Sequence, residues 1–203
     1  NMPLLFKSLK IRGLTIRNRI IASPMCQYNS VDGAPTDWQM LHLGRLAIGG
    51  CGVVFGEETA VEPDGRKTHS CAGLYKQSHI AAYRELTDMI RSHGAVAAIQ
   101  LGHSGRKGSC HGALQDWQAL TNADAANGLP PWQVMTPTAA ISPPRPIPHK
   151  EMDQNDINRV IDDFRKATKR SIDAGYDILE IHGAHGYLIH QFLSATSNQR
   201  QDH

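Results

Sequence analysis

The sequence has no run approaching the roughly 18 consecutive apolar residues of a membrane-crossing helix, and no apolar leader core near Met2. A membrane protein is therefore not expected, and a cytoplasmic one is. Cysteine is sparse: Cys26, Cys51, Cys71 and Cys110 are scattered, with no Cys-x-x-Cys pair. That excludes a zinc ribbon, argues against a disulfide framework, and fits reduced thiols. Charge of either sign is not in excess, since 21 basic and 19 acidic residues leave a net +2. Nothing here asks for nucleic acid or an anionic membrane surface as partner. The sequence also lacks Gly-x-Gly-x-x-Gly, a Walker motif, His-Glu-x-x-His and Gly-x-Ser-x-Gly. Dinucleotide-fold, P-loop, zinc-protease and serine-hydrolase readings each lose their main signal.

What the 203 residues do contain is a repeating strand–helix pattern. Two short extended candidates, 5–9 and 14–16, predict a hairpin that plugs one end of a larger fold. A first buried strand is predicted over 19–23, halted by Pro24, and a loop Pro24-Met25-Cys26-Gln27-Tyr28 follows. Thr36 is a good N-cap for a helix over 38–48. The second strand covers 51–59 and ends at Ala60. Ser78 is expected to cap a helix whose apolar face is Ile80, Tyr83, Leu86 and Ile90, stopped at Gly94. The third strand spans 95–101, with Gln100 near its end. The clearest helix spans 153–174, capped by Asp153, with Ile157, Val160, Ile161, Phe164, Ala167 and Ile172 facing inward. A fourth buried parallel strand over 178–181 follows Gly175.

Right-handed crossovers between parallel strands give either an open sheet or a closed barrel. Where an open doubly wound sheet carries its phosphate loop, this chain has Pro-Met-Cys-Gln-Tyr. The pattern therefore predicts an α/β fold of (β/α)8 type, a TIM barrel, of which the chain supplies the hairpin and about four strands. Residues 102–152 form one long irregular stretch leaving the end of the third strand. A loop of that length reads as a cover over the active-site mouth, the alternative being a surface insertion.

Strand ends gather the chemistry. Alternation along the fourth strand puts Ile178, Glu180 and His182 on one face and Leu179 and Ile181 on the other. His182 ends the strand, Gly183 and Gly186 bracket His185, and Tyr187 follows. Met25, Cys26, Thr59, Ala60, Gln100, His182, His185 and Tyr187 are all expected at one mouth. No catalytic-looking carboxylate pair points to glycoside hydrolysis. His182, His185 and His190 do not make a recognisable metal set, and no metal is expected. No basic residue near Cys26 in sequence favours its thiolate, so a nucleophilic cysteine is a weak reading. A mouth rich in hydrogen-bond donors, poor in charge and holding a phenol suits polarising a carbonyl while a separate cofactor reduces.

Three stretches carry a resemblance. Arg-Ile-Ile-Ala-Ser-Pro-Met-Cys-Gln-Tyr at 19–28, Ile-Gln-Leu-Gly-His-Ser-Gly-Arg-Lys at 99–107 and Glu-Ile-His-Gly-Ala-His-Gly-Tyr-Leu-Ile-His-Gln-Phe-Leu-Ser at 180–194 resemble the Old Yellow Enzyme family. Its members are FMN-dependent ene-reductases with a TIM-barrel fold, and the Cys26 loop is similar to the xenobiotic-reductase-like bacterial branch. The resemblance implies that Pro24, Met25 and Cys26 lie against the flavin, Cys26 tuning its potential. It implies that Ala60 and Gln100 contact the isoalloxazine, that His182 and His185 bond the substrate carbonyl, and that Tyr187 protonates the α-carbon. Tyr28 would line the substrate pocket, and NADPH or NADH would be the hydride donor. Enones, nitroalkenes, maleimides and quinones are the implied acceptors, and a homo-oligomer is expected.

The family pattern continues Leu-Ser-Pro-x-x-Asn-x-Arg-x-Asp-x-Tyr-Gly-Gly. Here Ala195 replaces the proline, and the sequence ends at His203. The expectation is the N-terminal half of one flavin-binding barrel over 1–203, working with the missing half or a second chain. The alternatives are a non-catalytic half-barrel serving assembly or binding, and the front of a dienoyl-CoA-reductase-like flavoenzyme.

Overall fold

A computed structural model describes residues 2–202. The chain begins with a 3-10 turn at Leu4–Phe6 and an antiparallel hairpin, β1 (Leu9–Ile11) and β2 (Leu14–Ile16). The predicted first arm at 5–9 is thus shifted toward the turn, because residues 4–6 close a 3-10 turn instead of extending. There follow β3 (Ile21–Ala22), α1 (Asp37–Ile48), β4 (Val53–Ala60), α2 (His79–Ser92) and β5 (Val96–Gly102). After the long connection, which contains β6 (Met135–Thr136) and β7 (Lys150–Glu151), come α3 (Gln154–Asp173), β8 (Ile178–Ile181) and α4 (Leu188–Leu193).

The central sheet has the order β3-β4-β5-β8, all parallel, with Ile21 opposite Val53, Val53 opposite Val96, and Ala98 opposite Ile178. Consecutive parallel strands as neighbours, each pair bridged by a helix, is barrel order. The predicted strand at 19–23 shortens to two residues. Arg19 N–H instead donates to Leu5 O, tying the strand's start to the entry turn.

Side-chain alternation sorts the sheet into two faces. Val54, Ala97, Ile99 and Leu101 pack outward against Leu43, Ala47, Tyr83, Leu86, Ile90 and Ala167 of the helices. Val53, Phe55, Val96 and Ala98 pack inward around Ile16, with Leu14 and Ile178 beside them. The hairpin therefore does plug the inner face. Each fully buried aliphatic here contributes about 1.5–3 kcal/mol.

Helix ends follow their residues. Thr36 and Asp153 each close a capping box, with Gln39 and Asp156 returning the bond. Ser78 is the N-cap of α2 by position, but its side chain makes no cap hydrogen bond because the residue is already helical. On α3, Val160 and Ala167 are buried, yet Ile161 and Ile172 are 62% and 60% exposed and do not face inward as expected. The fourth strand is likewise not buried on both sides: β8 is an edge of this sheet, and Ile181 is 54% exposed.

The 102–152 stretch is more ordered than a plain loop. It holds three 3-10 turns, and β6 pairs in parallel with β7. Met135 and Met152 bury with Val160 and Leu188, which fastens the stretch to α3 and α4.

Candidate active site

The site lies at the carboxyl ends of β4, β5 and β8. Its best-defined part is a trio of rings. The His182 and His185 centroids are 5.0 Å apart, His182 and Tyr187 are 5.0 Å apart, and His185 and Tyr187 are 6.3 Å apart, all edge-to-face. Local chain geometry makes this possible. His182 N–H donates to Leu101 O, holding it to the end of β5. His185 sits at a φ of 56°, a left-handed turn that a non-glycine residue adopts at some cost. Tyr187 then occupies the N-cap position of α4.

Hydrogen bonds set the tautomers. Ala184 N–H donates to His182 Nδ1 at 3.2 Å, so the neutral ring carries its proton on Nε2. That Nε2 lies 3.2 Å from His185 Nδ1, which then accepts, leaving the proton of His185 on its own Nε2. The two imidazoles are therefore bonded to each other, and His185, the exposed one, presents a free N–H. Burial lowers the pKa of His182 below the ordinary imidazole value, which keeps it neutral. Burial raises the pKa of Tyr187, outweighing the opposing pull of Lys67, so the phenol holds its proton at neutral pH.

The second part is the Cys26 loop. Glu57, buried at an irregularity in β4 between Phe55 and Glu58, accepts from Gln27 N–H at 2.9 Å and from Gln39 Nε2 at 3.0 Å. A β-bulge re-aims side chains near sites in this way. Gln27 in turn donates through its amide to Met25 O and accepts from Trp38 Nε1. Pro24 is half-buried, Met25 is exposed at the rim, and Tyr28 stands in left-handed backbone beside Trp117, ring centroids 5.2 Å apart. Ala60 is buried, and its backbone is taken up by Ala72 O and Leu74 N–H. Gln100 donates from Nε2 to Glu180 Oε1 at 2.5 Å, across the β5–β8 pair.

The third part was not foreseen. Lys67 is buried with its Nζ 2.7 Å from Glu58 Oε2 and 3.3 Å from Cys26 Sγ. The same ammonium stands 4.9 Å from the Tyr187 ring centroid and 5.7 Å from that of Tyr28. Gly102 leaves the room for Glu58: a Cβ there would fall 2.3 Å from Glu58 Oε1. The expectation of a mouth poor in charge is thus corrected. Lys67 brings to Cys26 a cation that its sequence neighbours do not supply, yet burial is the larger influence and raises the thiol to about 11, as a weak nucleophile requires. The available signal was Glu57-Glu58 in an otherwise apolar strand, since buried carboxylates need partners.

A cavity of about 580 Å³ opens between these parts. Tyr28, Lys67 and Tyr187 line it from the barrel side, and Trp117, Pro143, Arg145 and His149 line it from the 102–152 stretch. That volume suits a small conjugated molecule. Among the described residues no group of three His, Cys, Asp or Glu is placed to hold a metal ion.

Parallel strands in barrel order thus bring the neutral imidazole of His182, the imidazole of His185 and the protonated phenol of Tyr187 together at their carboxyl ends. The profile of the NADH:flavin oxidoreductase / NADH oxidase family matches residues 4–203, and the chain belongs to that family. FMN is the family's cofactor. The NADH:flavin oxidoreductase FG08077 of Gibberella zeae is 41% identical over 201 residues, covering 97% of this chain and 48% of the relative. The NADPH dehydrogenase of a Geobacillus species is 38% identical over 201 residues, covering 98% and 53%. Among solved structures, morphinone reductase superposes with a TM-score of 0.80 at 24% identity, covering 98% of this chain and 53% of that one. Old Yellow Enzyme from Pichia sp. AKU4542 gives 0.81 at 24%, covering 98% and 50%. These structures share the fold, a TIM barrel of which this chain forms a part. The chain spans about half the length of the curated relatives it matches. No helix among the described residues is long and apolar enough to cross a membrane.

Proposed function

We propose that the protein is the N-terminal half of a flavin-dependent ene-reductase, moving hydride from NADPH or NADH to the activated C=C of an α,β-unsaturated carbonyl or nitro compound. Several curated relatives are named NADPH dehydrogenase, which puts NADPH first. The residues at the mouth fit FMN by their donor chemistry: the Gln100 carboxamide, the His182 imidazole and the loop of Pro24, Met25 and Cys26, with Ala60 at the end of β4. The chemistry FMN supplies when bound is two-electron transfer between nicotinamide and acceptor. Everything else falls to the chain. His185 Nε2–H, and His182 Nε2–H once released from its neighbour, donate to the acceptor's carbonyl or nitro oxygen and draw charge from the double bond. Tyr187 Oη, kept protonated by burial, gives its proton to the α-carbon. Tyr28 and Trp117 form the aromatic side of the pocket. The 102–152 stretch excludes water from above.

The observation that carries this reading is the ring trio with its tautomers fixed. It is tested by Tyr187→Phe in the FMN-loaded protein containing this chain, with both half-reactions followed by stopped-flow absorbance. Reduction of the acceptor is expected to slow at least about 100-fold, while reduction of the flavin by NADPH changes little. An equal loss in both half-reactions would remove Tyr187 as the proton donor.

A further inference from the structure

The cavity above the ring trio is unbalanced in charge. Lys67, Arg106, Lys107 and Arg145 all line it, and among the described residues no carboxylate does. Lys67 has Glu58 behind it as counter-ion. The other three have only neutral partners. Lys107 Nζ donates to His185 O at 2.6 Å, and Arg145 donates from Nη1 and Nη2 to the carbonyls of Arg106 and Ser109, each at 2.7 Å. Arg106 bonds through its backbone N–H to Gln191 Oε1, lines the cavity, and has no carboxylate partner among the described residues.

Three cations are gathered here without an anion, and burial lowers the pKa of Arg145 against the opposing pull of Cys110. A fold tolerates such a cluster when an incoming ligand brings the missing charge. The position is informative too. Lys67 and Lys107 lie 4.9 and 5.5 Å from the Tyr187 ring centroid, so the positive wall and the proposed proton donor face the same volume. Tyr28 and Trp117 offer an aromatic surface between them.

We infer that this mouth selects acceptors that carry a carboxylate in addition to the polarising group, the carboxylate seated on Arg106 and Arg145. The inference rests on the ene-reductase reading and narrows its substrate class to conjugated acids. A guanidinium matches a carboxylate in a planar, two-bond geometry, and the three donors of Arg145 not spent on carbonyls remain available for it.

The test uses the FMN-loaded protein and two probes of one shape, 4-hydroxybenzoate and 4-hydroxybenzamide, with Kd measured by calorimetry. The acid is expected to bind about 10- to 100-fold more tightly than the amide, the range set by one charge-assisted hydrogen bond or two. Arg106→Gln and Arg145→Gln should each erase most of that preference, leave the amide's Kd within about twofold, and Arg145→Lys should restore part of it. Equal affinities for acid and amide, or a preference indifferent to both substitutions, overturns the inference. So does a rise in KM for NADPH in the two variants with no change for the acid, because the cations would then serve the nucleotide phosphates. Reduction of neutral cyclohexenone separates this failure from failure of the underlying reading: if cyclohexenone is reduced and acids gain nothing, only the anion selectivity falls.

Discussion

One wall of the mouth, made by the ends of β5 and β8, holds hydrogen-bonding rings and an amide and no cation: Gln100 bonded to Glu180, the imidazoles of His182 and His185, and a protonated phenol. A second wall, made by the turn after β4 and the 102–152 stretch, holds four cations. The neutral wall is assembled almost within one segment, since 182–187 places three rings by a strand end, a left-handed turn and a helix start. The charged wall is assembled from three segments far apart in sequence. The difference matters chemically. A neutral imidazole polarises an oxygen without fixing ligand charge, whereas cations choose which ligands enter. In the proposed reading the rings serve reactivity and the cations selectivity, and the two parts touch where Lys107 Nζ donates to His185 O.

The comparison breaks most visibly at Lys67, whose ammonium is the one cation on the charged wall with a buried carboxylate behind it. Burial is the largest single influence and opposes the charge, but attraction to Glu58, with Cys26, Cys71 and Tyr28 adding to it, raises its pKa well above the ordinary lysine value. Lys67→Met strands the Glu58 carboxylate, whose Oε1 already lacks a hydrogen-bond partner. The expected loss is about 3–5 kcal/mol by urea denaturation. Removing both charges in Glu58→Leu with Lys67→Met should recover most of it, because an uncharged pair of similar volume needs no desolvation. A double variant as unstable as the single one would show that the pair contributes by shape and not by charge.

A smaller effect is expected where the neutral wall meets the Cys26 loop. Glu57 is pushed upward in pKa by burial and held down by the N–H groups of Gln27 and Tyr28 and the amide of Gln39. Glu57→Leu leaves the N–H groups of Gln27 and Tyr28 without this acceptor and the Gln39 amide with Ser30 Oγ alone, and the expected cost is about 1–3 kcal/mol. Limited proteolysis should then cut within 24–28 first. Cleavage confined to other loops would mean that Pro24 and the neighbouring helix hold the loop without Glu57.

How much of this was legible in the sequence follows the same division. Strands, helix caps and the ring trio could be read because each depends on residues close together: Thr36 with Gln39, Asp153 with Asp156, His182 with His185 and Tyr187. The inward list on α3 failed at Ile161 and Ile172 because helical spacing marks a stripe but not its width, and the stripe against the sheet here is narrow. The charged wall could not be read, since Lys67 meets Cys26 across 41 positions and Arg145 meets Arg106 across 39. The bonding of His182 to His185 was equally hidden: spacing places rings near one another, but only backbone donors such as Ala184 N–H decide which nitrogen keeps its proton.

The smallest expected effect concerns a rate and leaves the chain unaltered. Cys26 has a lysine ammonium at 3.3 Å, and proximity alone would make it a reactive thiolate. Burial is the larger influence, with Lys67 opposing it and Glu58 adding to it, and the thiol stands at about 11. An acid whose pKa is raised stays protonated up to that value, so alkylation of Cys26 should climb about tenfold per pH unit from pH 7 to 10 without levelling. Peptide mapping after timed iodoacetamide exposure gives the slope for Cys26 separately from the other thiols. A plateau near pH 8 would mean that Lys67 outweighs burial and that the charged wall supplies a thiolate to the neutral one. A straight climb would mean that the cation is committed to Glu58, and that Cys26 meets whatever binds at the rim as an uncharged, polarisable neighbour.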